Sequence, residues 1–462
     1  MNHFGIAFDL VNVPALDPGF IPIYRFNSSF LKTARQPFGV ALMRGERQTA
    51  VCRTYIHGTP GMRPADMVYV DRLVKSLLWM KGGYEILLCG DARICEQIAR
   101  AYAPDGARAF DYGFMTRVYE RPLTVRRVDA LPEAEDASEA IGRHLSGCRI
   151  GFDAGGSDRK VSAVIDGEPV FSEEVVWHPK TQADPAYHYE GIVSAFRAAA
   201  AHMPRVDAIG VSSAGVFIRN RTMVASLFLK VPEPLFQSQV KDIYLRAAKE
   251  IGDVPVVVAN DGDVTALAGA MSLNENNVLG MAMGTSEAVG FVDVNGNITG
   301  WLNELAFAPV DLNPAAMRDE WSGDIGCGVK YFSQDGVIKL AQRANIDLSG
   351  ADTPAEKLKV VQALAEAGDP AAHRVFSDIG VYLGHTLPQY FDLYGFTNVL
   401  LLGRVLSGAG GEVLSETAAR VLKEEYPEVA SAVSLRLPDE RSRRVGQSVA
   451  AASLPALGRE EA

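Results

Sequence analysis

The sequence predicts an α/β protein with more than one domain, in which helices cover mixed sheets. The chain has 462 residues, which is more than one hydrophobic core usually spans. A unit of three strands, separated by a small-residue loop and a two-residue turn, occurs twice, beginning at residues 148 and 278. After each unit, strand-length apolar runs alternate with segments of helical periodicity, which is the pattern of βα units.

The composition argues against several classes of protein. The formal net charge of −11 disfavours nonspecific binding of nucleic acid, and no apolar run approaches the roughly 18 residues of a membrane helix. The N-terminus MNHFGIAFDL has no basic region before an apolar one, so we expect no signal peptide. Five scattered cysteines without a CxxC pair argue against a disulfide framework. We therefore expect a cytoplasmic protein with neither a membrane nor a nucleic-acid partner.

Residues 1–145 are predicted to form a small accessory α/β domain. A hairpin at 38–56 is followed by an amphipathic helix at 65–83, a buried strand and a second helix. No compact three-helix arrangement with a basic recognition helix is evident, so we predict no helix-turn-helix. The acidic stretch 131–140 is the predicted boundary, although it could instead lead into a helix. Dimerisation and the covering of a cleft are both open roles for this domain.

The rest of the chain is predicted to consist of the two three-strand units and of the βα segments that come after each unit in the sequence. The first unit predicts strands at 148–153, 160–165 and 169–178, with Asp166-Gly167 as a two-residue hairpin turn. The second predicts strands at 278–283, 289–294 and 297–301, with Asn295-Gly296 as the turn. Helices are predicted at 188–203, 240–252, 263–272 and 370–395, a strand and loop at 206–215, and strands at 254–261 and 398–403. Chance similarity between hairpins is the alternative to a repeat.

Three glycine-containing loops follow predicted strands and suit phosphate binding, because glycine lets backbone N–H groups approach phosphate oxygens. Asp153 ends the first strand, and its carboxylate could hold Mg²⁺ through water. An ordinary tight turn is the alternative for any single loop. None of the loops fits the GxxxxGK[ST] pattern of P-loop enzymes. The candidate loop residues are Gly155, Gly156 and Ser157 in the first loop, Gly284, Thr285 and Ser286 in the second, and Gly403 and Gly408 in the third.

Asn260 and Asp261 come directly after an apolar strand, where a helix is predicted to begin. A carboxylate on such a rigid platform can accept the proton of an attacking hydroxyl in phosphoryl transfer. The neighbouring amide has donors and acceptors that suit a polyol. The alternative is that Asp261 or Asp263 caps the helix, and this segment alone favours the cap.

Taken together, these segments resemble the ROK family of the actin/hexokinase/Hsp70 superfamily over roughly residues 148–455. GFDAGGSDRK resembles the first phosphate motif, DxGGT, and VVANDGDVTALAGA is similar to ENDANAAALGE. VLGMAMGTSEAVG resembles the second phosphate motif and NVLLLGRVLSGAGG the adenosine motif. The resemblance implies a ribonuclease H-like actin/hexokinase fold with mixed sheets and two lobes, at 146–270 and 271–462. The last helix is expected to return to the first lobe.

The resemblance also implies a function, which is ATP-dependent phosphorylation of a sugar or related polyol by a glucokinase-like enzyme. Asp261 would be the general base, Asn260 and Glu304 would contact the sugar, and Mg²⁺ would lie near Asp153. Ser213 and Gly215 would line the sugar site, with ordinary turn residues as the alternative. The expected partners are the sugar or polyol, ATP and a second copy of the chain in a homodimer. A non-catalytic sugar or nucleotide sensor and an ATPase that acts with a protein partner are the alternatives.

This sequence departs from the family pattern at several positions. Ala259 replaces the glutamate before Asn-Asp, and Val329 stands where a second sugar-binding glutamate is expected. The GExGH motif keeps Glu304 but has Phe307 in place of the zinc-binding histidine. The cysteine cluster survives only as GCGVKYFS, with Cys327 and Ser333 retained. One cysteine and no histidine cannot form a tetrahedral zinc site, so no zinc is expected.

Overall fold

A computed structural model of the protein describes residues 1–136, 141–437 and 442–457. The chain divides into two compact units, each assembled from separate stretches of sequence. Unit A comprises residues 1–137, 281–289 and 301–437, and unit B comprises residues 138–280, 290–300 and 438–462. The domain boundaries expected from the sequence remain predictions, and residues 137–140 of the expected first boundary lie outside the described residues.

Apart from the one predicted at 297–301, the strands occur in the positions that the sequence indicates, with several short ones added. In chain order they are β1 (Asn2–His3), β2 (Ile6–Ala7), β3 (Gln36–Gly45), β4 (Gln48–Ile56), β5 (Glu85–Cys89), β6 (Thr124–Arg127), β7 (Glu135–Asp136), β8 (Cys148–Ala154), β9 (Asp158–Ile165), β10 (Glu168–Val176), β11 (Ala208–Ser213), β12 (Val216–Ile218), β13 (Arg221–Val224), β14 (Val256–Asn260), β15 (Val278–Met283), β16 (Glu287–Val292), β17 (Asn398–Leu402) and β18 (Ser434–Arg436).

The helices include the four predicted after the first boundary. In chain order they are α1 (Ile23–Leu31), α2 (Arg63–Lys81), α3 (Ala92–Ala101), α4 (Ala109–Tyr119), α5 (Pro185–Ala200), α6 (Glu233–Leu235), α7 (Ile243–Lys249), α8 (Asp261–Leu273), α9 (Gln334–Arg343), α10 (Pro354–Glu366), α11 (Pro370–Tyr394), α12 (Ala409–Glu425), α13 (Pro427–Ala432) and α14 (Ser442–Ala452). Of the helices in the described part of the chain, none has the length and apolarity needed to span a bilayer.

The main sheet of unit B has the strand order β10-β9-β8-β11-β14. β8, β9 and β10 form the predicted antiparallel unit, whereas β8, β11 and β14 run parallel. Along the parallel strands, Asp153 pairs in register with Ser212, and Ser212 pairs with Ala259. The carboxyl ends of three strands therefore meet at one edge of the sheet, and this arrangement places the candidate residues that follow them close together.

The last helix, α14, lies against this sheet at very short range. A Cβ at Gly151 would lie 1.8 Å from the carbonyl oxygen of Ser448, and a Cβ at Gly210 would lie 1.7 Å from that of Ala451. Only glycine allows backbones to approach so closely. The hydroxyls of Ser162 and Ser448, 2.7 Å apart, form a buried hydrogen bond across the same contact.

The second predicted three-strand unit is incomplete. β15 and β16 form as expected in a sheet of order β16-β15-β17-β18. The third strand predicted at 297–301 is wrong, because this stretch forms only isolated bridges, from Ile298 to Val292 and to Ile141. Ile298 thus divides its pairing between two neighbours, and no continuous ladder with β16 develops.

The turn before Ile298 also differs from the prediction. The Asp166-Gly167 turn has φ of +50° and +89° at its two residues, as a two-residue turn of this type requires. At the predicted Asn295-Gly296 turn only Gly296 has a positive φ, and the Asp293 N–H donates to the Asn297 carbonyl across three intervening residues. The Asp293 carboxylate accepts N–H hydrogen bonds from Asn295 and Asn297, both at 2.9 Å, and this stabilises the longer loop.

The N-terminal part of unit A contains a sheet of order β6-β5-β3-β4-β7, and its hairpin β3–β4 and helices α2 and α3 agree with the sequence prediction. A buried charged cluster lies beside α2. Asp324 accepts ion pairs from Arg72 at 2.6 Å, Lys75 at 2.9 Å and Arg108 at 2.6 Å. Burial alone would raise the pKa of Asp324, but Lys75, Arg72 and Arg108 hold it well below its usual value.

Candidate functional site

The predicted site residues divide between the two units. Unit B contains Asp153, Gly155, Gly156, Ser157, Ser213, Gly215, Asn260 and Asp261, and unit A contains Gly284, Thr285, Ser286, Glu304, Gly403 and Gly408.

In unit B, Asp153 is a buried carboxylate at the carboxyl edge of the parallel strands. Its Oδ1 accepts hydrogen bonds from Ser212 Oγ at 2.9 Å and from Gln447 Nε2 at 3.3 Å. Burial raises the pKa of Asp153 to about 7; the charge of Asp261 adds to this effect, whereas the Ser212 hydrogen bond opposes it. Asp153 and Asp261 are therefore close enough to influence each other's ionisation. Gln447 lies on α14, far from both aspartates in sequence, and sequence reasoning missed it.

Asp261 is the first residue of α8. Its Oδ1 accepts a hydrogen bond from the Gly262 N–H at 3.1 Å. Burial raises the pKa of Asp261, and this outweighs the opposing effects of the Gly262 hydrogen bond and the charge of Lys180. Lys180 also lies beside the first glycine loop, since a Cβ at Gly156 would be 3.0 Å from its Cε. No local pattern marks Lys180, because tertiary structure alone brings it to this position.

The residue that caps α8 is Asn260, so the prediction that Asp261 or Asp263 forms the cap is wrong. Asn260 retains the extended backbone of β14 (φ −61°, ψ 142°), and its Oδ1 accepts from the Gly262 N–H at 2.7 Å. Its Nδ2 donates to the Gly215 carbonyl at 2.8 Å. Asp263 is instead buried, and its Oδ1 accepts a hydrogen bond from the Phe291 N–H at 3.2 Å.

Ser213 and Gly215 both have structural partners. The hydroxyls of Ser213 and Tyr244 form a buried hydrogen bond of 2.8 Å. Gly215 has φ of +140°, and a Cβ there would lie 2.3 Å from the Val224 carbonyl oxygen. The backbone conformation at residue 215 therefore requires glycine. The Asn260 amide is hydrogen-bonded to the carbonyl of that same residue.

The first glycine loop is tightly packed at one end and exposed at the other. The Gly155 carbonyl accepts a hydrogen bond from Trp177 Nε1 at 2.8 Å, and a Cβ at 155 would lie 2.6 Å from the Asp158 carbonyl oxygen. Ser157 is exposed, and its Oγ donates to Asp158 Oδ2 at 2.9 Å. The loop thus presents a hydroxyl close to the strand end that carries Asp153.

In unit A, the second glycine loop is connected to the third by an arginine. Thr285 Oγ1 accepts a hydrogen bond from Arg404 Nη2 at 3.1 Å. Within the second loop, the Gly284 N–H donates to the Ser286 carbonyl at 2.9 Å. Arg404 was not among the sequence candidates, although it lies inside the quoted motif NVLLLGRVLSGAGG, and it brings a positive charge to these two loops.

The two glycines of the third loop have positive φ. Gly403 has φ of +95°, and a Cβ there would lie 2.3 Å from the Met283 carbonyl oxygen. Gly408 has φ of +73° and precedes α12, whose Ala409 N–H donates to Glu366 Oε2 at 3.0 Å. Both positions therefore require glycine for backbone reasons, in addition to any role in phosphate binding.

Glu304 lies in a loop that α2 holds in place. The Glu304 N–H donates to the Trp79 carbonyl at 3.0 Å, and the Asn303 N–H donates to the Met80 carbonyl at 2.9 Å. The Phe307 ring lies 4.5 Å from the Trp79 ring, and the pair packs with the rings of Phe110 and Phe114. An aromatic cluster therefore occupies the position at which the resemblance implies a zinc ligand.

Cys327, the surviving cysteine of that motif, is a free and buried thiol. Burial raises the pKa of Cys327 to about 11, which disfavours a metal-binding thiolate. Within the described ranges, no group of three or more His, Cys, Asp or Glu side chains is arranged to hold a metal ion.

Comparison by sequence gives no relative for this chain. No protein-family model matches it, and no curated protein matches it.

Comparison by structure gives clear matches. A ROK hexokinase from Thermus thermophilus has 21% identity and a TM-score of 0.51, and the match covers 66% of this chain and 97% of the hexokinase. A ROK family transcriptional regulator, a homologue of the E. coli MLC protein, has 17% identity and a TM-score of 0.51 over 78% of this chain and 86% of the regulator. The chain thus has the actin/hexokinase fold of ROK proteins, which confirms the predicted fold class.

Proposed function

We propose that this protein is a ROK-type kinase that transfers the γ-phosphoryl group of ATP to a hydroxyl of a sugar or related polyol. The observation that carries the proposal is the pair of neighbouring carboxyl groups, buried Asp153 and half-buried Asp261, at one edge of the parallel strands of unit B. Their proximity supports a division of labour in which one accepts a proton and the other faces the phosphates. The fold shared with a ROK hexokinase is consistent with this chemistry.

In this proposal Asp261 is the general base and accepts the proton of the acceptor hydroxyl as the oxygen attacks phosphorus. A raised pKa suits a base, since a stronger base accepts the proton more readily. Asp261 is also held rigidly, because Asn260 fixes the start of α8 to residue 215. A base at a fixed position loses little entropy when the acceptor binds.

The residues fit an ATP-bound Mg²⁺ ion, which would neutralise charge on the phosphates. Among the described residues, the hydrogen bonds to Asp153 go to Oδ1, and none of these residues donates to Oδ2. Mg²⁺ is commonly bound through one or two carboxylates together with substrate phosphates and water, so a dedicated cluster of three ligands is not needed. Asp153 would therefore hold the ion directly or through water, and the first glycine loop, which follows the same strand, would donate backbone N–H groups to the phosphates of ATP.

The test compares Asp261→Asn with Asp253→Asn in an assay of acceptor-dependent ADP release over a panel of hexoses, hexosamines and polyols. Asp253 is an exposed residue before β14, so its substitution removes the same charge outside the site. We expect Asp261→Asn to lower kcat by about 10²- to 10⁴-fold and to leave ATP affinity nearly unchanged. Wild-type turnover by Asp261→Asn would remove Asp261 from the mechanism.

A sugar sensor without catalysis is the second candidate, favoured by the fold shared with a ROK transcriptional regulator and by Val329 in place of a sugar-binding glutamate. Sugar binding without ADP release in the same panel would support the sensor. ADP release that is independent of any acceptor would instead support an ATPase.

A further inference from the structure

Outside the residues of the proposed kinase mechanism, unit A brings a threonine, a histidine and an aspartate together. Thr33 Oγ1 lies 2.9 Å from His57 Nε2, and His57 Nδ1 lies 3.2 Å from Asp66 Oδ1. The Thr33 hydroxyl is also 3.4 Å from the Phe30 carbonyl, a distance too long to compete with the bond to His57. Two hydrogen bonds therefore connect a hydroxyl, an imidazole and a carboxylate in that order.

The contacts of Asp66 determine which nitrogen of the imidazole carries the proton. Asp66 is 1% exposed, and its carboxylate accepts hydrogen bonds from the backbone N–H of His57 at 2.8 Å and of Gly58 at 2.9 Å. Because a carboxylate can only accept, the contact with His57 Nδ1 requires a proton on Nδ1. In the neutral imidazole Nε2 is then an acceptor, and the Thr33 hydroxyl donates its proton to it.

The His57 imidazole is held in this orientation by its surroundings. Its side chain is 10% exposed, and the Phe30 ring packs edge-on against it with 4.5 Å between the ring centroids. Phe30 in turn stacks on Tyr69 of α2 at 4.4 Å. The segment after α1 is joined to the end of β4, because the Arg35 N–H donates to the Ile56 carbonyl at 3.1 Å. The positions of base and hydroxyl are therefore fixed by packing and by the backbone.

Thr33 is exposed and lines a cleft with a volume of about 550 Å³. The cleft is formed by residues 5–9, which include β2, and by α1 and the two residues that follow it. Its size suits a small organic ligand. Ile6 and Phe8 contribute apolar surface to the lining, and the exposed Lys32 contributes an ammonium group. A hydroxyl that is hydrogen-bonded to a base is thus open to a ligand in this cleft.

We propose that Thr33, His57 and Asp66 form a nucleophilic triad that hydrolyses small carboxylic esters bound in this cleft. A nucleophile within hydrogen-bond reach of a base, with a third group that orients the base, is the geometric signature of such a site. Thr33 and His57 are the catalytic residues, because they contact the reacting atoms, and Asp66 is the positioning residue. The activity is independent of the proposed kinase function, since no residue of that mechanism takes part.

The reaction takes place in two balanced steps. Thr33 Oγ1 bonds to the carbonyl carbon of the ester and gives its proton to His57 Nε2; the bond to the alcohol oxygen then breaks, and the alcohol leaves with that proton. Water next attacks the acyl-threonine and gives a proton to Nε2, and Thr33 Oγ1 recovers this proton as the acyl bond breaks. The products are a carboxylic acid and an alcohol. Lys32, which lines the same cleft, would stabilise the negative charge on the carbonyl oxygen.

The test uses two probes on the full-length protein. Release of p-nitrophenolate from p-nitrophenyl acetate measures hydrolysis. Diisopropyl fluorophosphate measures activation of the hydroxyl, because the oxygen displaces fluoride and forms a stable adduct that peptide mass spectrometry locates. We expect one adduct per chain, at Thr33, and a fall in p-nitrophenolate release of about 10²-fold or more in Thr33→Val and in His57→Gln. The exposed Thr59→Val and His178→Gln are the matched controls and should react like the wild type.

Asp66→Asn tests the positioning role. An amide at this position favours the wrong tautomer of His57, so we expect the fluorophosphate adduct to form about tenfold or more slowly. The final yield should still be one adduct per chain. Loss of structure alone would instead lower the fraction of chains that is labelled, and this outcome would contradict the role given to Asp66.

Three results would each overturn the proposal: no fluorophosphate adduct at Thr33, acetylation by p-nitrophenyl acetate of surface amines only, or unchanged hydrolysis in Thr33→Val. Thr33→Ser provides a second measurement in case Thr33→Val or His57→Gln has a lowered melting temperature. It keeps a hydroxyl beside His57, so we expect it to form the adduct at position 33 as the wild type does. A folded Thr33→Ser without that adduct would also overturn the proposal.

Discussion

The Asn260 side chain donates to the Gly215 carbonyl at 2.8 Å while it accepts from the Gly262 N–H at 2.7 Å. One amide therefore ties the first turn of α8 to the loop after β11. The position of Asp261, which lies between Asn260 and Gly262 in the chain, depends on both bonds.

Asn260→Ala is expected to destabilise the protein by about 1–2 kcal/mol, because it removes a helix cap and leaves the Gly215 carbonyl without its donor. Urea denaturation measures the change, and exposed Asn295→Ala is the matched control. We also expect slower turnover in the kinase assay, because Asp261 loses its support. A urea midpoint of Asn260→Ala equal to that of Asn295→Ala would show that the Asn260 cap contributes little to stability.

Asp324→Asn is expected to destabilise the protein by about 3–5 kcal/mol, because it leaves buried cations without their shared carboxylate. Lys75 is 1% exposed and would retain only Asp111, at a distance of 3.5 Å. Exposed Asp352→Asn, which touches no such cluster, should leave the urea midpoint nearly unchanged. Similar midpoints for the two variants would contradict a structural role for the cluster.

The raised pKa of Glu287 predicts a specific dependence of the stability of the protein on pH. Its pKa is about 8 when folded and 4.5 when unfolded, so the folded protein binds one more proton between these values. The contribution of Glu287 to the free energy of unfolding is therefore fully present below about pH 4.5. It declines as the pH rises towards 8 and is constant above that pH. Glu304 and Tyr390, which face Glu287, are present in both proteins being compared.

Differential scanning calorimetry of the wild type and Glu287→Gln from pH 5 to 9 measures this dependence. We expect similar melting temperatures near pH 5 and a progressively lower value for the wild type up to pH 8. A constant difference across the range would mean that Glu287 does not change its ionisation on folding.

Gly328→Ala is expected to destabilise the protein by about 1–3 kcal/mol, because the added Cβ would lie 2.3 Å from Glu287 Oε2 and 2.6 Å from the Leu305 carbonyl oxygen. Combining it with Glu287→Ala should recover part of the loss, since that removes the first clash and keeps the second. A double-mutant cycle on urea midpoints measures the coupling. Strict additivity would show that the two side chains do not compete for space.

The sequence was sufficient to predict the elements that present the candidate residues. Strands β8 and β14 are nearly uninterrupted apolar runs, and α8 follows with clear small-residue periodicity, so the placement of Asp153 and Asp261 at strand ends required no tertiary information. The sequence alone could not decide which residue, Asn260 or one of its neighbours, caps the helix. All are good capping residues, and the backbone conformation that the sheet imposes on Asn260 decides among them.

The environment of Glu287 could not have been predicted in the same way. The sequence predicts a loop of small residues around Glu287, where a charged side chain usually points to solvent, whereas in the structure Glu287 begins β16. The groups that enclose it come from residues 304, 328 and 390, which only the tertiary fold brings together. The prediction of a third strand at 297–301 was wrong for a related reason. Strand pairing depends on partner strands, which the local alternation of apolar and polar residues does not reveal.

The aromatic cluster around Phe307 has a consequence for the conditions under which Glu304 can work. Apolar contact with Trp79 does not respond to metal supply, chelators or oxidation of thiols. The loop that carries Glu304 should therefore keep its shape in zinc-poor or oxidising surroundings, so that the sugar contact proposed for Glu304 would be insulated from the metal and redox state of the cell.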